Sequence, residues 1–195
     1  MLRVRATRAL QAGTGRAVAA LLLCLLCAAA LAQERRFDIR SAYVEPVAGV
    51  WQLTAALDLA LSRAAEDALA ESVPLGLRLE MVVSGERRFL PSETVAQLEQ
   101  RWQLAWDALS ERYVITNLNS GGQSYHGTVA QALESLSRVR GLPLIDAALL
   151  QEGRRYEVSL RASVEIGGVP GALKMLLFWR EWSRSTDWYT WSLRP

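Results

Sequence analysis

His126 is the only histidine in the chain, so chemistry that needs an imidazole must use it. Ser124 stands two residues before it, and Asp107 and Asp146 offer carboxylates elsewhere. A serine relay needs the base within hydrogen-bond reach of the nucleophile and an acid behind the base. No Gly-x-Ser-x-Gly elbow surrounds Ser124, and Ser-Tyr-His is not a spacing any nucleophile requires. The expectation is a structural or exposed histidine, and no catalytic residue is assigned. A hydrolase would require His126 in a cleft, against a serine or a carboxylate. Metal chemistry has as little to draw on. With one histidine and no cysteine beyond Cys27, only carboxylates remain, and none are spaced like a calcium loop. Glu66, Asp67 and Glu71 read as the solvated side of a helix. Gly121-Gly122 lacks the Gly-Lys-Ser/Thr ending of a phosphate loop. The expectation is therefore no metal and no cofactor.

The seven tryptophans are the stronger signal. Trp51, Trp102 and Trp106 fall on apolar strand faces and read as core. Trp179, Trp182, Trp188 and Trp191 form the candidate binding surface. Trp179 and Trp182 lie three apart beside Arg180, Glu181 and Arg184. Exposed with Trp188 or Trp191, they would suit a sugar ring, an acyl chain or a partner surface. Arg87-Arg88 and Arg154-Arg155 would suit an anionic lipid or phosphate, although solvated turns explain them better.

Residues 1–32 read as a secretory signal peptide and 33–195 as a single globular domain. Arg3, Arg5, Arg8 and Arg16 form a positive start with no acidic residue. Ala17 to Ala29 is an apolar run, short of the roughly 20 residues a membrane span needs. Ala30-Leu31-Ala32 fits a cleavage site. The expected location is the periplasm, the alternative an N-terminal anchor in the inner membrane. Membrane contact is expected only through an uncleaved leader. Cleavage removes Cys24 and Cys27, and with them any disulfide or thiol nucleophile. The chain holds 22 basic and 20 acidic residues. The leader takes four of the basic ones, leaving 18 against 20, a net −2. A nearly neutral chain of this kind gives no support for nucleic-acid binding.

The elements that must position these side chains follow from periodicity. Trp51, Leu53, Ala55, Leu57, Leu59 and Leu61 alternate with smaller or polar residues, which predicts a strand. Phe37 to Val44 is its hairpin partner. Ala65, Leu69 and Val73 fall four apart and predict a helix, capped by Ser62 and stopped by Pro74. Leu75 to Val83 alternates again. Residues 93–109 are ambiguous. A helical stripe leaves Leu104 misplaced and a strand leaves only Gln100 misplaced, so a strand is preferred. Tyr113 to Leu118 is its partner. Thr128 and Gln131 suggest a capping box for a second helix through Val139, ending at Gly141. Leu142-Pro143-Leu144 echoes Val73-Pro74-Leu75 after that helix. Tyr156 to Ile166 gives the cleanest alternation, and Trp188 to Leu193 reads as a last strand. The predicted fold is α+β and strand-dominated. It is a mostly antiparallel sheet or two-layer sandwich of about eight or nine strands with two or three short helices.

In order and spacing these motifs resemble the domain of unknown function 4390 family of exported proteobacterial proteins. The resemblance rests on the Trp51–Leu61 strand with Ser62 and its helix, Val73-Pro74-Leu75, and Trp102-x-Leu-x-Trp106 with Arg112-Tyr113. It continues through Gly153-x-x-Tyr156-x-Val158 to Asp187-Trp188. Where the family has a Leu-Pro-x-Pro step, this chain has Val169-Pro170-Gly171-Ala172, without the second proline. The resemblance implies an envelope location and no assigned activity. It also implies genes near a sensor histidine kinase and a ribosomal-RNA methyltransferase. The leading functional expectation is a non-enzymatic, exported binding or adaptor module of the cell envelope. A ligand- or stress-sensing partner of a membrane sensor kinase is the alternative, and a hydrolase ranks third. An adaptor predicts an exposed apolar patch of several hundred Å².

Overall fold

Period-two alternation builds ten strands among the residues that the computed structural model describes, which are 36–87, 91–166 and 183–195. In chain order the elements are β1 (Phe37–Val47), β2 (Val50–Leu59), α1 (Arg63–Ala70), β3 (Leu75–Gly85), β4 (Glu93–Asp107), β5 (Arg112–Asn117) and β6 (Gln123–His126). Then follow α2 (Val129–Leu136), β7 (Arg138–Asp146), a 3-10 turn (Ala147–Leu149), β8 (Tyr156–Ile166), β9 (Arg184–Ser185) and β10 (Tyr189–Leu193). One antiparallel sheet has the order β1-β2-β7. The other runs β10-β8-β3-β4-β5-β6, with β9 beside β8. The strand-dominated expectation holds, and two short helices accompany the sheets. The additional strands are β6, β7 and the two-residue β9.

β3 is the axis of the larger sheet. Every residue from Leu75 to Gly85 has a partner on β8, and all but one step of the β4 register is regular. Its inner row of Leu75, Leu77, Leu79, Met81 and Val83 is buried. Burying side chains of this size contributes about 1.5–3 kcal/mol each. The smaller sheet lies over this row. Ile39, Leu53, Ala55 and Leu57 share one cluster with Leu79, Met81, Leu160 and Ala162. A second cluster joins Leu61, Ala65 and Leu69 of the α1 region to Leu75, Leu104, Ile115 and Ala132. Both helices therefore close the same end of the sandwich. Tyr156 is fully buried in a third cluster, and its hydroxyl accepts from the Gln151 N–H at 2.8 Å.

Residues 93–107 are a strand, as alternation predicted. Gln100 is the misfit on its inner face, opposite Leu79 and half-buried. Ser62 caps α1 by accepting from the Ala65 N–H at 3.2 Å. The helix ends earlier than Pro74 requires. Ser72 takes a left-handed φ of 65°, Ser72 N–H reaches the Leu69 carbonyl, and Val73 N–H reaches that of Ala68. This paired closure stops the helix at Ala70, so Val73 leaves the helical stripe. Thr128 caps α2 as expected, at 3.2 Å from Gln131 N–H. The Gln131 side chain instead receives the N–H of Gly127 at 3.0 Å.

The second helix is also shorter than expected. It ends at Leu136, and Val139 belongs to β7, where it pairs with Ala55. Gly141 is not a helix cap. Its φ of 59° serves an irregular step of β7, between the pairs Leu53↔Leu142 and Ala55↔Val139. Leu142-Pro143-Leu144 lies inside edge strand β7, whereas Val73-Pro74-Leu75 enters central strand β3, so the echo has no structural counterpart. The suggested helix or covering segment at 172–182 falls outside the described residues.

Candidate functional site

The outward rows of the larger sheet bring together side chains that are far apart in the chain. Register places Glu80 opposite both Arg161 and Glu99, and Arg78 opposite Ser163 and Arg101. Like charges thus face each other directly across β3 and β4. The diagonals neutralise them. Arg78 reaches Glu165 at 2.9 Å, Glu99 at 3.9 Å and Glu80 at 4.0 Å. Arg161 donates to Glu80 Oε2 from Nε at 3.0 Å and Nη2 at 2.6 Å. Arg101 lies 3.4 Å from Glu99. Burial pulls the Arg78 guanidinium down. The hydrogen bond and charge of Glu165, with Glu99 and Glu80, outweigh it and hold the group above its usual value.

Trp188 sits at the edge of this charged field. It is 43% exposed, and its ring lies 4.6 Å from Arg161 Cζ. Arg161 is held from the other side by Glu80, so the indole rests on a fixed cation. The neighbouring rung pairs Ser159 with Thr190, their hydroxyl oxygens 3.1 Å apart. Trp191 lies on the opposite face. It pairs with Val158, is half-buried and packs against the two clusters beneath the sheet. Register explains this split, because three residues along a strand reverse the face. Trp179 and Trp182 lie outside the described residues. Of the two candidates that the structure describes, Trp188 is the one on the outer surface.

Trp51 and Trp102 pack against core clusters, and Trp106 lies 4.8 Å from Tyr113, ring to ring. The other large exposed apolar side chains among the described residues lie on several elements. Tyr43 and Val47 are on β1, Leu109 on the β4–β5 turn, Leu118 between β5 and β6, Leu149 on the 3-10 turn, and Tyr125 on β6. The outward rows of β3, β4 and β8 carry mainly charges, hydroxyls and amides.

His126 lies half-buried on β6, an outer strand of the larger sheet. Ser124 shares its face because two strand residues separate by one full period. The Ser124 hydroxyl is 3.0 Å from His126 Nε2, and that of Ser135 is 3.4 Å from the same nitrogen. A serine is therefore within reach, as a hydrolase would need. Among the described residues no carboxylate is hydrogen-bonded to the ring, so nothing acidic orients it. No cluster of three metal-ligating residues occurs among the described residues. Arg87 and Arg154, distant in sequence, meet on Glu93, so both guanidiniums already have an acidic partner. A small apolar cleft of about 20 Å³ lies between the sheets, lined by Phe37, Leu57, Leu59, Leu77, Leu79 and Trp102 among others. Arg78 and Ser163 also line it, but its volume is that of about one water molecule.

A family model described as Domain of unknown function (DUF4390) matches residues 34–192. The chain belongs to the DUF4390 family. No curated protein and no solved structure matches it. The DUF4390 match covers both sheets and both helices, so the fold described here is that of the family segment in this chain. No described helix is long and apolar enough to cross a membrane.

Arg161 and Glu80 carry no local sign of a site in the sequence of the DUF4390 segment. Each sits in an alternating row that reads as a solvated strand face. Only the β3–β8 register sets them opposite one another.

Proposed function

We propose that this protein is an exported binding or adaptor module of the cell envelope that works without bond chemistry. Its contact surface is the outer face of the larger sheet, centred on Trp188. One observation carries the reading. An exposed indole is fixed on Arg161, and Arg161 is fixed on Glu80, so the aromatic is oriented before any partner arrives. A preset aromatic anchor binds with less loss of side-chain freedom than a mobile one. The Arg-rich start and short apolar run of residues 1–32 support export. The Ser124–His126 pair lacks an orienting acid, which favours binding over hydrolysis.

The test is photo-crosslinking in intact cells. A photoreactive residue at Ser159 should capture an envelope component, and one at Thr54 on the smaller sheet should not. Capture from Thr54 with none from Ser159 would move the contact to the other sheet. Recovery of the protein in the cytoplasmic fraction would reject the envelope reading.

A further inference from the structure

We infer that the Trp188 face takes a neutral sugar polymer, its pyranose rings stacking on Trp188 and its hydroxyls meeting the polar groups beside it. The inference rests on the binding reading above and names the ligand class.

Charge balance is the first argument. Arg78, Arg101 and Arg161 are matched on this face by Glu80, Glu99 and Glu165, each within 4.0 Å of an opposite charge, and exposed Glu157, without an ion pair among the described residues, adds a single negative charge beyond Ser159. A strongly anionic or cationic partner would have to break these pairs. A ligand without net charge leaves them intact.

Hydrogen-bond character is the second. Ser159 and Thr190 present hydroxyls, which both donate and accept. The next rows carry Ser163 and Gln103 outward. Arg161 uses Nε and Nη2 on Glu80, which leaves Nη1 without an acceptor among the described residues. Sugar hydroxyls need this mixture of donors and acceptors.

Geometry is the third. Three of the strand edges offer little for a peptide to extend, which leaves β10 and β6, the outermost strands of the larger sheet, as open edges. β7 carries Pro143 and two register shifts, β1 carries a shift beside Arg40, and Asn119 occupies part of the β4 edge. Asn119 accepts from Arg101 N–H at 2.8 Å and donates to the Glu99 carbonyl at 3.0 Å, where a strand would otherwise pair. Beside the β10 edge, the exposed Trp188 indole adds an aromatic plane that a strand edge lacks. An indole stacks on the C–H side of a sugar ring through the same apolar and electrostatic forces that bind other flat partners.

The probe is the hexamer of N-acetylglucosamine, titrated into the full exported chain by calorimetry. An anionic uronic-acid polymer serves as the comparison. The hexamer should bind and the anionic polymer should bind more weakly. Trp188→Ala should weaken the hexamer about tenfold, the size of one stacking contact, and Trp188→Phe should restore most of the affinity. If Trp188→Ala does not fold by circular dichroism, Thr190→Val decides, with a smaller loss expected. Absence of binding at millimolar hexamer, or equal binding by Trp188→Ala, overturns the inference. Should the hexamer fail while a residue at Ser159 still crosslinks to a protein, the sugar reading falls and the binding reading stands. Should both fail, both fall.

Discussion

Two exposed carboxylates tie single side chains to the behaviour of the fold in acid. The hydrogen bond and charge of Arg87, with a contribution from Arg154, hold Glu93 below its ordinary value of 4.5. The Ser110 hydroxyl and the Leu109 N–H hold Asp107 below its ordinary 3.8. A carboxylate whose folded value is depressed stabilises fully above its unfolded value. That contribution is lost as pH falls through the folded value. Both groups therefore add stability at neutral pH and none in strong acid. The double variant Glu93→Gln, Asp107→Asn should melt below the wild type at pH 6, and the gap should narrow as pH falls below the ordinary carboxylate values and close in strong acid. Thermal melts across that range check it, and a gap independent of pH would show that these charges are not linked to folding. Ser72 shows a different residue-scale constraint. Its φ of 65° closes α1 without a glycine, a conformation that L residues adopt at some strain.

At the scale of elements, competition between helix and sheet decided the region after Thr128. The stripe through Val139 suits a longer helix, yet residues 138–146 pair with β2 and complete the three-stranded sheet. Strand pairing satisfies both backbone and apolar side chains, whereas a longer helix would leave the β2 edge open. Gly141 makes the pairing possible, because its φ of 59° lets the strand accommodate the irregular step opposite β2. An added Cβ would lie 3.1 Å from Gln52 Oε1. Gly141→Ala should therefore destabilise by about 1–2 kcal/mol through backbone strain. Urea unfolding should show a lower midpoint with an unchanged slope. A midpoint equal to wild type would mean that β7 repacks without this kink. Residues 93–107 teach the opposite lesson. Their helix-favouring composition lost to alternation, because β3 and β5 each offered a partner along part of their length.

For the whole molecule, the two sheets share one interior. Leu53 of the smaller sheet is fully buried in the cluster that holds Met81 and Leu160 of the larger. Leu53→Ala should cost about 2–5 kcal/mol, from lost transfer energy and the cavity left behind. Far-ultraviolet and tryptophan signals should still shift together in denaturant, since neither sheet can keep its apolar face without the other. Two separate transitions would show that the sheets fold independently. The outward side of the same sheet follows a different logic. Its ion pairs are partly exposed, so they contribute less to stability than to holding Arg161 and Trp188 in place.

The sequence alone placed strands at 37–44, 51–61, 75–83 and 156–166, which the fold sets at 37–47, 50–59, 75–85 and 156–166, because one buried face imprints a period of two. It also determined the caps at Ser62 and Thr128, whose short side chains reach only their own helix. The candidate surface was legible only as a set of late tryptophans. Which of them faces outward depended on the β8–β10 register, which turns Trp191 inward. Arg161 and Glu80 were invisible as a pair, since they lie far apart in sequence and become neighbours only when β8 aligns with β3. Local pattern sets which face of a strand is buried. Only the meeting of strands decides which outward residues stand side by side.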